Sequence, residues 1–552
     1  MRKVQRVFLI SGILTSTILL MPGLFSQAFG QIRIVNCDAP VQSRKRGIGV
    51  NTLSDTDFRA LAPGVSWYYN WGATPLAKPA DVTMDFLPMA WNGSSGFQTS
   101  ISSYLAAGNR PWRVLALNEP NLKGQAFMTP SNSAVTFAQV KAICDPYSIP
   151  VIAPHMAIGS AVSDSITAVD PFGGTNYTYT YQEPFLNAFL YFCGSSRPAG
   201  MGTHSYGGYG EITWILGTMH TDYPTQSVWL TEFCHWGDTS DAAVLATLIP
   251  SVDFCERTPW LEGYAWFMSR INGDPYNSLL AGSGILTAAG QAYVQMPVHD
   301  TNVFYHVPGR LQAERYVALN QVNIAPTTDA DGLADMVSAA ASGSLDYNIH
   351  VDYAGNYLVN FRVAGATGQI SVYKGGTLLG TANVTQTGWS TVTASIALSA
   401  GTQTLHVVLA TNTQRLNWME FASTLSAFEQ WQMQYFACTN CPSAAPDADP
   451  FGKGMTNTNQ FLAGLNPTNP TSLFRILSIS PQNVDLAIAW TMGSGKTNAL
   501  QTSSAAANGS YLTNGFNDVF TVTNTVGMTT NYLDLGATTN LPSRFYRVRL
   551  VP

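Results

Sequence analysis

Val228-Trp229-Leu230-Thr231-Glu232-Phe233-Cys234 is an apolar, β-favouring run that delivers a carboxylate. An unpaired charge is costly to bury and tolerable at a wet rim, so a strand built this way ends at a mouth. Arg113-Val114-Leu115-Ala116-Leu117-Asn118-Glu119-Pro120-Asn121 has the same shape. Strand alternation groups Leu115, Leu117 and Glu119 on one face, and Val228, Leu230 and Glu232 on one face, so both acids are expected to point into a common mouth.

Six further short apolar runs lie around these two, at residues 47–51, 65–72, 85–91, 150–155, 201–206 and 263–268, which makes eight in all. Helical stretches are expected between them at 98–107, 133–144, 184–193 and 242–255; the first carries Ile101, Tyr104 and Leu105 at helical spacing. Strand followed by helix, repeated, implies parallel strands, and eight such units imply a (β/α)8 barrel of the TIM type. The links after runs one and two are short, so some outer helices are expected to be stunted or missing. The long Gly- and Tyr-rich link after run five reads as an active-site loop. On this count Glu119 ends strand four and Glu232 ends strand seven, both at the C-terminal rim where such barrels hold their sites.

The other strand ends carry flat aromatics and neutral hydrogen-bonding groups: Trp67 and Trp71 on strand two, Trp91 on three, His204 and Tyr206 on six, Trp236 just past seven, and Trp266 on eight, with Asn118 beside Glu119. A sugar ring stacks its C–H face on an aromatic and bonds its hydroxyls at the edge, so these residues are expected to bind substrate. Two carboxylates at such a mouth imply glycoside hydrolysis, one protonating the leaving oxygen and the other attacking the anomeric carbon or activating water. A lone Glu at a strand end is more often paired with an arginine, and Arg46, Arg113 and Arg270 are available; the coincidence on strands four and seven outweighs that reading. His155 reads as structural, and Glu183, Glu211 and Glu256 read as surface residues. No H-x-x-x-H or clustered His/Asp spacing is present, so no catalytic metal or other cofactor is expected.

Ser66-Trp67-Tyr68-Tyr69-Asn70-Trp71, Phe86-Leu87-Pro88-Met89-Ala90-Trp91, Leu117-Asn118-Glu119-Pro120-Asn121, His204-Ser205-Tyr206, Trp229-Leu230-Thr231-Glu232-Phe233 and Tyr264-Ala265-Trp266-Phe267 together resemble glycoside hydrolase family 128, a clan A family of β-1,3-glucanases. The resemblance runs over about residues 46–291 with every motif in order. It implies a retaining endo-type β-1,3-glucanase with Glu119 as acid/base and Glu232 as nucleophile. The rival readings are a clan A enzyme cutting another β-glycan and a non-catalytic glycan-binding or adhesion protein.

Composition sets the wider frame. The chain has 552 residues, only 11% of them charged, and a net charge of −6, which excludes a nucleic-acid-binding surface. Arg2, Lys3 and Arg6 precede an apolar run at residues 7–21, and Ala28-Phe29-Gly30 offers small residues for cleavage, so residues 1–30 read as an export signal. The expected destination is secreted or extracytoplasmic, at the cell surface or in the periplasm. No later stretch is long and apolar enough to span a bilayer. Seven cysteines follow the signal; Cys234 with Cys255 is one conceivable pair, and Cys438-Thr439-Asn440-Cys441 is expected to close a small disulfide.

The expected domains are a barrel at 40–300, a β-sandwich at 308–423, a Cys-containing linker at 424–472 and a small β domain at 473–552. Strand alternation separated by Gly-containing turns marks the sandwich. Gln312-Ala313-Glu314-Arg315-Tyr316, Tyr353-Ala354-Gly355-Asn356-Tyr357 and Leu416-Asn417-Trp418-Met419-Glu420-Phe421 resemble a family 6 carbohydrate-binding module. That resemblance implies glycan contacts at Trp389 and Asn417 and a structural calcium at Glu314. Asp329 and Asp331 read as ordinary loop acids. The linker holds a degenerate calcium-loop pattern from Asp449, with Phe451, Lys453 and Gln460 where ligands belong. Gly493-Ser494-Gly495-Lys496-Thr497 looks like a phosphate loop, but Trp490 stands at the first glycine position, so nucleotide binding is not expected. The expected partner is a β-glucan.

Overall fold

The structure, a computed structural model, describes residues 31–504, 510, 514–523, 529–539 and 543–551; the expected export signal lies outside the described residues. Eight parallel strands close into a barrel: Ser43–Gly49, Val65–Tyr69, Asp85–Phe86 with Met89–Ala90, Val114–Ala116, Val151–Ala157, Gly200–Ser205, Ser227–Phe233 and Leu261–Trp266. Strand three is broken. Its first half pairs with strand two and its second half with strand four, so the two halves complete the cylinder. Pro88 sits at the break, where a residue without an N–H cannot extend a ladder.

The expected helices form as Ser95–Ala106, Pro130–Cys144, Gln182–Cys193 and Asp241–Arg257. Strand one is followed only by the short Asp55–Leu61, capped by Ser54 and Asp57 in a reciprocal box. A further helix, Tyr209–Asp222, follows strand six. Its buried Ile212, Ile215, Leu216 and Met219 carry a helical period that the sequence displays.

The barrel interior is filled by indole rings. Trp67 and Trp229 lie 5.7 Å apart, and Trp112 packs 5.3 Å from Trp229. Neighbouring strands make room with glycine: a Cβ on Gly47 would come within 2.2 Å of Trp67, and one on Gly263 within 2.4 Å of Trp229. Trp67 is therefore a floor residue, fully buried, with its Nε1–H donated to the Lys45 carbonyl. Trp266 is also fully buried, facing outward against Phe233 and Tyr293 and donating to the Asn277 carbonyl. The expectation that Trp67 and Trp266 stand at the mouth is corrected on both counts: each ring fills space between elements.

Glu256, expected on the surface, is buried. Its carboxylate takes bonds from Arg46 at 2.7 Å and Ser43 at 2.8 Å, while Arg46 also reaches the carbonyls of Tyr293 and Pro297. This pair ties strand one to the helices on either side of strand eight.

The sandwich begins earlier than expected. One of its sheets contains Arg33–Val35, Val303–Val307, Gly343–Val351, Gly401–Leu409, Gly368–Lys374 and Thr377–Val384, with Ala318–Asn320 paired to Gly343–Val351. Its partner sheet contains Val322–Pro326, Ala334–Ser338, Arg415–Ser423, Gly355–Ala364 and Ser390–Leu398, with Gly309–Gln312 paired to Arg415–Ser423. The first described strand thus lies in the sandwich, where Arg33 pairs in register with Val303, and the chain enters the barrel after it. Three-residue strands carry too little alternation to be read from sequence. The two bodies are packed together: Ala334 belongs to the barrel's apolar cluster, and Asp253 on helix Asp241–Arg257 accepts bonds from His299 at 3.0 Å and from the sandwich's Tyr316 at 2.6 Å.

Beyond the sandwich, helix Ala427–Phe436 leads to a Cys438–Cys441 disulfide, while Cys234 and Cys255 remain unpaired and buried. Two three-stranded sheets follow, with Ile488, Trp490 and Leu500 between them. Among the described residues no helix is long and apolar enough to cross a membrane.

Removing one partner of a buried ion pair strands the other charge. Arg46→Met is expected to destabilise the fold by about 3–5 kcal/mol in urea denaturation. Arg59→Met, which breaks an exposed pair with Asp81, is expected to leave the transition midpoint in place.

Candidate active site

A cleft of about 780 Å³ opens at the C-terminal ends of the strands. Among its lining residues are Glu119, Glu232, Asn118, Trp71, Trp91, His204, Tyr206 and Trp236. The structure thus brings these expected site residues together, and leaves Trp67 and Trp266 outside.

Each acid is aimed by a break in regular strand geometry. Strand four ends at Ala116, and Leu117 and Glu119 take left-handed backbone conformations, with φ of +66° and +42°. Such conformations cost of order 1–3 kcal/mol for a residue with a side chain, and they persist only where the surroundings enforce them. Here the Glu119 N–H donates to the His155 carbonyl, and the His155 N–H donates to the Leu117 carbonyl. Leu117 consequently joins the outer apolar cluster while Leu115 stays inside the barrel, so the expected shared face of Leu115, Leu117 and Glu119 does not form.

Strand seven departs in a similar way. Val228, Leu230 and Phe233 face the outer cluster and Trp229 faces the interior. Strict alternation would send Glu232 outward with Leu230. Register shifts between Thr203 and His204, and between Leu230 and Phe233, turn Glu232 into the cleft instead. A bulge of this kind re-aims a side chain without ending the strand. The expected common face of Val228, Leu230 and Glu232 is corrected accordingly.

Glu119, His204 and Glu232 meet with ligand atoms all within 4.8 Å of one another. His204 Nδ1–H donates to Glu119 Oε1 at 2.8 Å and lies 3.4 Å from Glu232 Oε2. Glu232 Oε1 accepts from Trp71 Nε1 at 2.7 Å and from the Tyr69 hydroxyl at 3.2 Å, and Oε2 accepts from the Tyr206 hydroxyl. Burial works against a charged His204, but the neighbouring Glu232 and Glu119 outweigh it and hold the imidazole above its usual value. Burial and the adjacent Glu232 push both the Tyr69 and Tyr206 hydroxyls well up, which keeps them as donors. His155 lies behind the site, fully buried, with Nδ1 against Thr231 Oγ1 at 2.9 Å; burial lowers its pKa to about 3. It is the structural histidine expected from sequence.

The cleft walls are aromatic. Tyr206 and Trp236 stack at 5.0 Å, and Phe267 meets both edge-on. Tyr69, in the aromatic run that ends strand two, follows Trp67 on the inward face and reaches Glu232. One contributor escaped the sequence reading. Glu211 was expected at the surface, yet it lines the cleft, and no local sequence signal marks it. After Ala157 at the end of strand five, the Gly- and Tyr-rich link contributes Ile158 and Gly159 to the lining. Part of the link forms a hairpin, Thr167–Val169 with Asn176–Thr178.

In the sandwich, Trp389 is half-buried, donates to Thr328 Oγ1 at 3.1 Å and has the Arg362 guanidinium 5.8 Å from its ring. Asn417 is fully buried beneath it, its amide donating to Asp329 and to the Asp331 carbonyl, so it is a floor residue rather than an open contact. Asp329 and Asp331 serve in ion pairs with Arg362 and Arg310. In the linker, Asp449 accepts from the backbone N–H of Lys453 and Gly454, while the Lys453 ammonium caps the Asn466 and Asn469 carbonyls. A lysine there supplies the positive charge of the turn. The phosphate-loop look-alike packs Lys496 over Phe461 and spends the Gly493 N–H on the Ala463 carbonyl.

Residues 47–293 match the family described as glycosyl hydrolase catalytic core, and residues 312–423 match carbohydrate binding module (family 6). The chain is a glycoside hydrolase with an appended carbohydrate-binding module. Among solved structures it is similar to a GH128 (subgroup II) endo-beta-1,3-glucanase from Pseudomonas viridiflava, with 29% identity, 46% of this chain and 98% of that chain covered, and a TM-score of 0.39. A GH128 (subgroup II) endo-beta-1,3-glucanase from Sorangium cellulosum gives 28% identity, 45% and 97% coverage and a TM-score of 0.38. A GH128 (subgroup III) curdlan-specific exo-beta-1,3-glucanase from Blastomyces gilchristii gives 24% identity, 45% and 97% coverage and a TM-score of 0.35. No curated protein matches.

A raised imidazole value in the folded state means that His204 contributes stability fully below its unfolded pKa, about 6.5, and loses that contribution as pH rises through the folded value. The stability difference between wild type and His204→Gln, followed by denaturant titration, is expected to be largest near pH 6 and to shrink above neutrality.

Proposed function

We propose that the chain is an exported, retaining β-1,3-glucanase. The observation that carries this reading is the meeting of Glu119 and Glu232 across His204 in a cleft walled by Trp71, Trp91, Tyr206 and Trp236. Carboxyl groups about 5 Å apart leave no room for a water between acid and sugar, which favours a covalent intermediate over direct hydrolysis; the ligand atoms of this group lie within 4.8 Å.

Glu119, with one oxygen held by His204, gives its proton to the glycosidic oxygen. Glu232, oriented by Tyr69, Trp71 and Tyr206, forms the bond to the anomeric carbon as the bond to the leaving sugar breaks. Water then attacks that carbon, loses its proton to Glu119 and releases Glu232, so both groups return to their starting state. The β-1,3 linkage rests on the ordered family 128 motifs. Export rests on the basic and apolar N-terminal pattern and is supported by the Cys438–Cys441 disulfide, which needs an oxidising compartment.

The sandwich is proposed to hold glycan at Trp389 and a structural calcium at Glu314. Among the described residues Glu314 Oε2 is buried without a hydrogen-bond partner, and burial pushes the carboxyl up to about 7. Glu314 would be one ligand of that site.

Glu232→Ala is expected to abolish hydrolysis of laminarin, and NMR of fresh wild-type product is expected to show the β-anomer first. Full activity in the variant, or a first-formed α-anomer, would sink the mechanism. A panel of β-1,3-, β-1,4- and mixed-linked glucans tests the linkage. For Glu314 the folded value lies above the usual 4.5, so the native state retains a proton that the unfolded chain releases, and stability falls as pH rises from about 4.5 to 7. At pH 8 without calcium, Glu314→Gln is expected to melt higher than wild type. Millimolar calcium should raise the wild-type midpoint and leave the variant unmoved.

A further inference from the structure

The link after strand five leaves the cleft at Gly159 and returns at Tyr181, where the two residues pair as an isolated antiparallel bridge. A Cβ on Gly159 would stand 3.6 Å from the Tyr181 ring, so that ring lies directly beside a cleft-lining residue. Trp214 stands next to Tyr181, with ring centroids 6.4 Å apart and planes tilted by 36°. It is 52% exposed, although an indole of that size normally gains by burial, and among the described residues no hydrogen bond to another side chain holds its Nε1.

Glu211 connects this platform to the catalytic end. It lies three residues before Trp214 on helix Tyr209–Asp222, and so on the same face. Its Oε1 accepts from Ser205 Oγ at 2.8 Å and from the Gly207 N–H at 2.9 Å, which fixes the carboxylate at the cleft wall. Residue 207 must be glycine for this arrangement: a Cβ there would fall 2.3 Å from Glu211 Oε2. Oε2 is left to accept from a ligand.

We infer that Glu211, Tyr181 and Trp214 form a distal glycan subsite that continues the cleft past Tyr206 and Trp236, with Trp214 as the stacking platform and Glu211 as acceptor for a pair of sugar hydroxyls. The inference rests on the proposed β-glucanase reading. A carboxylate beside an exposed indole suits a neutral polyhydroxylated ring: the indole takes the C–H face and the carboxylate takes the hydroxyl edge. The subsite makes the enzyme sensitive to chain length, because only a glucan long enough to pass Gly207 reaches the platform.

The test compares β-1,3-gluco-oligosaccharides from the shortest that the wild type cuts up to the hexaose and laminarin. Trp214→Ala is expected to lower kcat/KM on hexaose about tenfold, chiefly through KM, and to leave the shortest substrate within about twofold, while Glu211→Gln is expected to lose more on hexaose than on the shortest substrate. Trp214→Phe should recover part of the loss. An equal fall on all lengths would overturn the subsite by assigning these residues to the catalytic end or to folding, and no change on any length would overturn it outright. If wild type cuts none of these glucans, the linkage reading fails; the subsite is then tested by indole fluorescence on titration with β-1,4- and mixed-linked hexaoses, where Trp214→Ala must lose the response and an unchanged response would overturn it.

Discussion

Glu119 and Glu232 lie side by side in the cleft, and the rest of the candidate site is arranged around supplying hydrogen-bond donors to them. The Nδ1–H of His204 lies between Glu119 and Glu232, and three further donors converge on Glu232. These donors come from two parts of the barrel mouth: Tyr69 and Trp71 from strand two and its end, His204 and Tyr206 from strand six and its end. The acids can be close only because the barrel is closed, and closure is what brings strand two round to strand seven.

Closure in turn depends on how the interior is filled. Three indoles occupy the space below the site, and glycines on facing strands admit them. A packed floor holds the mouth residues against displacement, which matters because Leu117, Glu119 and Trp71 all sit at positive φ. The strain at the site is carried by packing beneath it and by strand-end hydrogen bonds beside it. The buried Arg46–Glu256 pair fastens strand one to helix Asp241–Arg257.

The carbohydrate-binding module is joined to the barrel by contact rather than by a free tether. The N-terminal strand Arg33–Val35 lies in the sandwich sheet, and Asp253, His299 and Tyr316 form a buried polar knot between the two bodies.

By itself the sequence determined the eight strands, the two acids and most of the aromatic wall, because each is written in local periodicity and in which residue ends a run. Helix Tyr209–Asp222 was not among the expected helices, although its buried residues fall at helical spacing. What alternation could not supply was direction. Regular pleating would have turned Glu232 outward with Leu230, and a register shift that depends on the neighbouring strand turned it inward. Trp67 and Trp266 carry the same residue type and strand position as true wall residues, and only the glycine opposite the one and the helices outside the other made them core. Glu256 and Glu211 differ in the same way: an acid on a helix looks solvated until the fold sets Arg46 against one and the cleft against the other. Local chemistry can be read along a chain, but which face a side chain presents, and to what, is fixed by partners distant in sequence.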